Sequence, residues 1–207
     1  MFKILAREDL APVTKLFRVH APEVVKQAQP GQFVVGRLDE TGERIPLTIA
    51  DWDKKEGSIT IIFQEVGAST KRMGQLQAGD SLLDFIGPLG LPSDIEKLGT
   101  VIMVGGGVGI APIYPIARAL KKAGNKVISI IGARSQDLLF WEDKMRGASH
   151  ELIVTTDDGS YGRRALVTEP LKERLEAAAN AGTPIDRVIT IGPAIMMKFC
   201  CKTTQPF

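Results

Sequence analysis

Gly105, Gly106, Gly107 and Gly109, followed at once by Ala111 and Pro112, have the clearest chemical capacity in this sequence. They follow an apolar run, Val101 to Val104, and precede a stretch with helical periodicity. Glycine lets the backbone approach a pyrophosphate closely. The start of a helix offers unpaired N–H groups and a positive dipole end to an anion. Pro112 falls in the first turn, where no N–H is needed. Gly107-Val108-Gly109-Ile110-Ala111-Pro112 matches Gly-x-Gly-x-x-Pro, not the full Gly-x-Gly-x-x-Gly fingerprint. The plainer alternative is a tight strand-to-helix turn with no ligand.

Three further turns fall at predicted strand ends, where open α/β sheets bind ligands. They are Gly132-Ala133-Arg134-Ser135, Asp157-Asp158-Gly159-Ser160-Tyr161-Gly162 and Gly192-Pro193-Ala194-Ile195-Met196. An acidic residue after the second strand would favour the free ribose of NAD. Arg134 can accommodate the 2′-phosphate of NADP, or can simply be a solvated arginine. Asp157 and Asp158 could form a carboxylate pair. With no third polar partner in view, the better reading is that they shape a turn and meet a ribose or nicotinamide edge. The first half carries its own candidates: Arg44 with Pro46, Leu47 and Thr48 on one strand-like stretch, and the small-residue turn Glu65-Val66-Gly67-Ala68-Ser69-Thr70. Such a turn suits phosphate but does not by itself identify a ligand.

The elements that must hold these residues divide the chain in two. Residues 1–96 read as β, with strands at Thr14–Ala21, Gln32–Leu38, Arg44–Ala50, Ser58–Gln64 and Ser81–Ile86. Asp51 to Gly57 reads as a polar turn. Short strands at this spacing predict a small antiparallel barrel. Gly87-Pro88-Leu89-Gly90-Leu91-Pro92 marks the boundary. Residues 97–207 then alternate strand and helix. Strands are predicted at Thr100–Val104, Lys126–Ile131, Glu151–Thr156 and Arg187–Ile191. Helices are predicted over Ile110–Ala123, after a Ser135 cap through Leu138, Leu139, Trp141 and Met145, from Thr168 to near Gly182, and after Gly192. That alternation predicts a parallel sheet covered on both faces. The fold class is a β-barrel domain followed by a Rossmann-like α/β domain.

Composition narrows the function. With Lys+Arg 26 against Asp+Glu 24 and a net charge of +2, no basic face for nucleic acid is indicated. Leu98 to Ala117 carries no charge, but three consecutive glycines cost a helix roughly 1 kcal/mol each, so a membrane span is not expected. With the early charges Lys3, Arg7 and Glu8, no signal peptide is expected in this stretch. The two cysteines, Cys200 and Cys201, are adjacent and poorly placed for a disulfide. A reducing cytoplasm is therefore the expected location. Neighbouring positions on a helix diverge, so no metal site is expected there.

Taken in order, the barrel, Arg44–Thr48, Gly67–Thr70, Gly87–Gly90, Gly105–Pro112 and Gly192–Met197 resemble the ferredoxin–NADP reductase superfamily across essentially the whole chain. Within it the likeness is to the small flavin subunit of NADH-dependent ferredoxin–NADP oxidoreductase, also known as a sulfide dehydrogenase subunit. The electron-transfer subunit of dihydroorotate dehydrogenase is a near relative. The resemblance implies FAD on residues 1–96 and NAD(H) or NADP(H) on residues 97–207, with hydride passing between nicotinamide C4 and flavin N5. It implies that Arg44 meets the FAD pyrophosphate, Pro46 and Leu47 offer backbone to the isoalloxazine, and Thr48 places its hydroxyl near N5 as the catalytic residue. Val66, Gly67, Ser69 and Thr70 would meet the FAD phosphates. Gly106, Gly107, Val108, Gly109, Ala111 and Pro112 would approach the dinucleotide pyrophosphate, and Gly132, Ala133 and Arg134 the adenosine ribose. Asp157, Asp158, Gly159, Gly192, Pro193 and Met196 would complete that site.

Two departures stand out. Many superfamily members have Arg-x-Tyr-Ser at the flavin. Here the spacing is one residue longer and Leu47 takes the place of the aromatic. The family's small subunits continue into a cysteine-rich [2Fe–2S] segment. These residues end at Phe207 with two cysteines, fewer than the roughly four ligands a cluster needs. The implied partners are a larger iron–sulfur flavoprotein subunit and ferredoxin. The alternatives are a dihydroorotate dehydrogenase electron-transfer subunit and a non-catalytic nucleotide-binding module that kept the fold.

Overall fold

Short runs of β-branched and aromatic residues recur through the first half of the chain, and each forms a strand. In the computed structural model, which describes all 207 residues, two compact units separate at Met1–Asp94 and Ile95–Phe207. The first contains β1 (Phe2–Ala11), β2 (Thr14–His20), α1 (Pro22–Gln27), β3 (Phe33–Arg37), β4 (Ile45–Asp53), β5 (Ser58–Gln64), α2 (Ala68–Met73), β6 (Ser81–Leu82) and β7 (Asp84–Leu89). The strands form one seven-stranded antiparallel sheet in the order β6-β1-β2-β5-β4-β3-β7. Its two edge strands are consecutive in the chain and joined at Leu83, whose N–H donates to Arg37 O at 2.9 Å. The sheet is a nearly closed barrel. Alternate residues fill it: Phe17, Val19, Ile49, Ile59 and Ile61 are fully buried, and Phe17 meets Phe63 edge-on at 5.1 Å. Burying each such side chain contributes about 1.5–3 kcal/mol.

The second unit contains β8 (Thr100–Gly106), α3 (Ile110–Lys122), β9 (Lys126–Ala133), α4 (Glu142–Ala148), β10 (Glu151–Thr156), β11 (Arg163–Arg164), α5 (Thr168–Asn180), β12 (Arg187–Ile191) and α6 (Ala194–Thr204). Its five strands are all parallel, in the order β11-β10-β9-β8-β12. The chain builds outward from β8 through β9 to β10, then returns to place β12 on the other side of β8. The direction of strand order therefore reverses between β8 and β12. Ile113, Ile116, Ala117 and Leu120 of α3 are buried, as their spacing predicts. No helix is long and apolar enough to cross a membrane.

Three expectations are corrected. The first strand is β1, which the sequence reading missed because Arg7, Glu8 and Asp9 break its apolar alternation. Those charges are tolerated because that stretch lies at the barrel surface, half-buried or exposed. Asp51–Asp53 is not a turn: β4 runs through it, with a register shift between Ile49 and Asp51, and Trp52 packs against the barrel core. Ser135 does not cap a helix through Met145. A single 3-10 turn, Gln136–Leu138, follows it, then Leu139 is extended and Trp141 adopts a left-handed conformation (φ 58°) before α4 begins. The Trp141 ring is held there by Tyr114, Phe140 and the Lys144 ammonium, 4.3 Å from its centroid. That packing opposes the strain of a non-glycine residue at positive φ.

Candidate functional site

The glycine turn after β8 lies at the point where strand order reverses. β8 ends at Gly106, Gly107–Gly109 makes one 3-10 turn, and α3 starts at Ile110 with Pro112 in its first turn. The turn after β12, Gly192-Pro193, lies against it. Gly107 has φ +55°, and a β-carbon there would meet nothing within 4 Å. It is an open cradle beside a helix N-terminus, and it fits a pyrophosphate. Gly106, Gly109 and Gly192 are different, because their missing side chains are replaced by protein. A β-carbon on Gly106 would overlap the Met196 sulfur, and one on Gly192 would lie 2.7 Å from the Met196 methyl. One on Gly109 would overlap the Ile191 carbonyl. Gly132 makes room for Val167 in the same way. Met196 is half-buried between the two turns, while Val108 and Pro193 are exposed beside them and Ala111 is buried.

The ends of β9 and β10 share this edge of the sheet. Arg134 is exposed, and Ala133 is half-buried. The N–H groups of Asp157 and Asp158 donate to Ala133 O and Arg134 O, each at 3.1 Å, so the parallel ladder continues into the loops. Asp158 accepts from the Ser160 hydroxyl at 2.6 Å and from Ser160 N at 2.9 Å. The Ser160 hydroxyl and then its N–H hold the Asp158 carboxyl below its ordinary range. Ser160 Oγ in turn accepts from Gln136 N at 2.8 Å. Asp158 thus shapes its turn. The linking role of Ser160 was not read from the sequence, where a serine in a glycine loop carries no distinctive signal. Nor was the adjoining cavity of about 520 Å³, lined by Gln136, Phe140, Trp141, Lys144 and Tyr161 among others.

On the barrel, β4 pairs with β3 over Ile45–Thr48 but with β5 only from Ile49 onward. Residues 45–48 therefore keep one ladder edge free for a ligand. Leu47 points into the core (5% exposed), so only its backbone is available, while Pro46 is exposed and Thr48 half-buried on the outward face. Arg44, just before β4, is exposed and takes no part in the barrel's ion pairs. At the turn into α2, Thr70 Oγ1 accepts from Gly67 N at 3.0 Å, and Ser69 donates to the Glu43 carboxylate. Val66 is 75% exposed. The free strand edge and the exposed Arg44 guanidinium fit an FAD on this unit. Cys200 is buried, which raises its thiol pKa, and Cys201 is exposed. No group of three or more His, Cys, Asp or Glu residues could hold a metal.

Known proteins resemble this chain. A sequence profile of the oxidoreductase NAD-binding domain matches residues 103–202. The dihydroorotate dehydrogenase B (NAD(+)) electron transfer subunit homolog of Thermotoga maritima is 46% identical over 92% of this chain and 66% of its own length. The corresponding subunit of Fusobacterium nucleatum is 37% identical over 92% of this chain and 74% of its own. A solved structure of the NADH-dependent reduced ferredoxin–NADP oxidoreductase superposes with a TM-score of 0.90 at 42% identity, covering 99% of this chain and 72% of that one. The chain thus spans about two thirds to three quarters of the length of each relative.

Proposed function

The chain belongs to the ferredoxin–NADP reductase superfamily, among relatives of the dihydroorotate dehydrogenase B electron-transfer subunits, and on that premise we propose that it is the NADH-oxidising flavin module of a larger oxidoreductase. The barrel unit holds FAD, and the parallel-sheet unit binds NAD(H). The observation that carries this reading is the open Gly107 cradle at the one place where strand order reverses. The NAD of the relatives' names supports NADH over NADPH as donor. FAD supplies the hydride acceptor and can release electrons singly. The chain's residues bind and orient. Arg44 pairs with the FAD pyrophosphate as a planar fork. Pro46 and Leu47 offer the free strand edge, and the Thr48 hydroxyl sits near flavin N5. Val66, Gly67, Ser69 and Thr70 wrap the phosphates. Gly107 and Val108, on the backing of Gly106, Gly109, Ala111 and Pro112, receive the dinucleotide pyrophosphate. Gly132, Ala133 and Arg134 face the adenosine ribose. Asp157, Asp158, Gly159, Gly192, Pro193 and Met196 complete the edge. A larger iron–sulfur flavoprotein subunit takes the electrons onward.

An anaerobic titration of the FAD-loaded protein tests this directly. NADH is expected to bleach the flavin absorbance near stoichiometry. An FAD complex that neither NADH nor NADPH bleaches would overturn the reading.

The loop link makes a smaller prediction. Ser160→Ala removes one hydrogen bond from Asp158 and another from Gln136 N, all at exposed positions. Thermal stability is expected to stay within about 0.5 kcal/mol of the parent. NADH binding, measured by calorimetry, is expected to weaken about two- to tenfold as the two loops lose their common tether.

A further inference from the structure

The turn assigned to the FAD phosphates belongs to a ten-residue segment, Glu65–Gly74, that leaves the barrel at β5 and returns beyond α2. Both of its ends are fastened to charged side chains on the β1–β2 hairpin. At the first end, Glu65 N donates to Val13 O at 2.9 Å, and the Glu65 carboxylate lies 3.4 Å from Lys15 Nζ. At the second, Arg7 Nη2 donates to Gly74 O at 3.4 Å, a cation beside a helix C-terminus. The two cations are bridged: Asp9 Oδ1 lies 2.8 Å from Lys15 Nζ and 3.1 Å from Arg7 Nη2. Asp9 and Lys15 are also direct cross-strand partners. The two ends of the segment touch, since a β-carbon on Gly74 would overlap the Glu65 carboxylate.

This differs from an ordinary surface ion pair, which contributes little. Lys15 is buried, at 8% exposure, on a strand flanked by β1 and β5. Met73, the last residue of α2, is fully buried in the barrel core. Between these anchors Val66–Lys71 is exposed or half-buried; Ser69 within it donates to the Glu43 carboxylate, and Arg72 beyond it pairs with Asp39. Val66–Lys71 is the stretch carrying Gly67, Ser69 and Thr70.

We propose that Lys15, with Glu65 and Arg7, is a positioning device that fixes the height and angle of the flavin phosphate turn. The proposal rests on the assignment of that turn to FAD. None of the three residues touches the cofactor. They act by closing the segment at its base, so that its N–H and hydroxyl groups are preorganised before the phosphates arrive.

The test uses the apoprotein and two ligands, FAD and riboflavin, which lacks phosphate. Binding is followed by flavin fluorescence quenching. Lys15→Met and Glu65→Gln are each expected to weaken FAD about tenfold while riboflavin binding stays unchanged. Arg18→Met, which breaks the Arg18–Glu56 pair elsewhere on the barrel, is expected to change neither. Thr70→Val, in the turn itself, separates the two levels of the argument. If Thr70→Val weakens FAD and neither clamp variant does, the clamp is refuted and the turn assignment stands. If none of the three weakens FAD, the turn assignment fails and the proposal with it. Equal weakening of FAD and riboflavin by the clamp variants would show a general loss of barrel structure and also overturn it. Glu65→Gln keeps the test decisive should Lys15→Met fail to fold.

Discussion

Replacing Gly109 with alanine is expected to destabilise the parallel-sheet unit by about 3 kcal/mol, near the upper end for adding one methyl group to a packed site. The reason is not conformational. Gly109 has φ −62° and ψ −12°, which alanine adopts freely. The obstacle is the turn after β12. The new carbon would overlap the Ile191 carbonyl oxygen, and would lie 2.6 Å from its carbonyl carbon and 2.9 Å from Gly192 Cα. These are backbone atoms at the end of a strand paired to β8, so they cannot rotate away. Relief requires prising β12 from β8 or shifting α3. At about 2–4 °C per kcal/mol for a chain of this size, the melting temperature is expected to fall by about 6–12 °C. Circular dichroism during heating measures it. FAD binding by the barrel unit, which has its own core, is expected to persist. Gly107→Ala is the contrast. It places alanine at φ +55° in open space, at a cost of about 1–2 kcal/mol, and its methyl group fills the cradle. It is expected to lose NADH binding more than stability. A Gly109→Ala protein with parental melting temperature would show that the two turns are not in contact.

That contrast marks how far the sequence could be read. Gly-x-Gly-x-x-Pro between an apolar strand and a helix was legible because each residue type has a local reason to be there. The division of labour among the glycines was not. Gly107 faces open space, while Gly106 faces Met196 and Gly109 faces Ile191, partners more than eighty residues away in the chain. A one-dimensional pattern records that a side chain is missing but not what fills the space. Sheet elements with continuous apolar runs, β8, β9 and β12, were read nearly to their ends. β1 was missed because its charges, Arg7 and Asp9, belong to a tertiary network with Lys15, and the pattern has no period to announce it. Trp141 reads as a helix residue by spacing, yet its ring contacts with Tyr114 and Lys144 hold it in a left-handed conformation. On the barrel, alternation along β4 turns Leu47 inward, so the residue standing where many superfamily members carry an aromatic is part of the core.

Arg44→Ala is expected to weaken FAD binding about ten- to a hundredfold, the range for losing charge-assisted hydrogen bonds of about 1.5–3 kcal/mol. The expectation depends on where the guanidinium stands in the free protein. Arg44 is exposed, lies outside β4, and is spent on no ion pair, although Glu43 beside it is engaged with Ser69 and Asp39 nearby with Arg72. Its removal therefore costs the barrel little, within about 0.5 kcal/mol for a surface substitution. Stability and affinity should separate cleanly. The apoprotein should melt as the parent does, and the FAD titration should shift. Lysine at the same position keeps the charge but loses the planar fork, so Arg44→Lys should fall between parent and alanine. Salt supplies an independent check. Screening weakens exposed charge pairs, so raising ionic strength should cost the parent more FAD affinity than it costs Arg44→Ala, and the two should converge. Parental affinity in Arg44→Ala, at low salt and with the barrel intact, would place the pyrophosphate elsewhere and leave the Gly67–Thr70 turn to bind it alone.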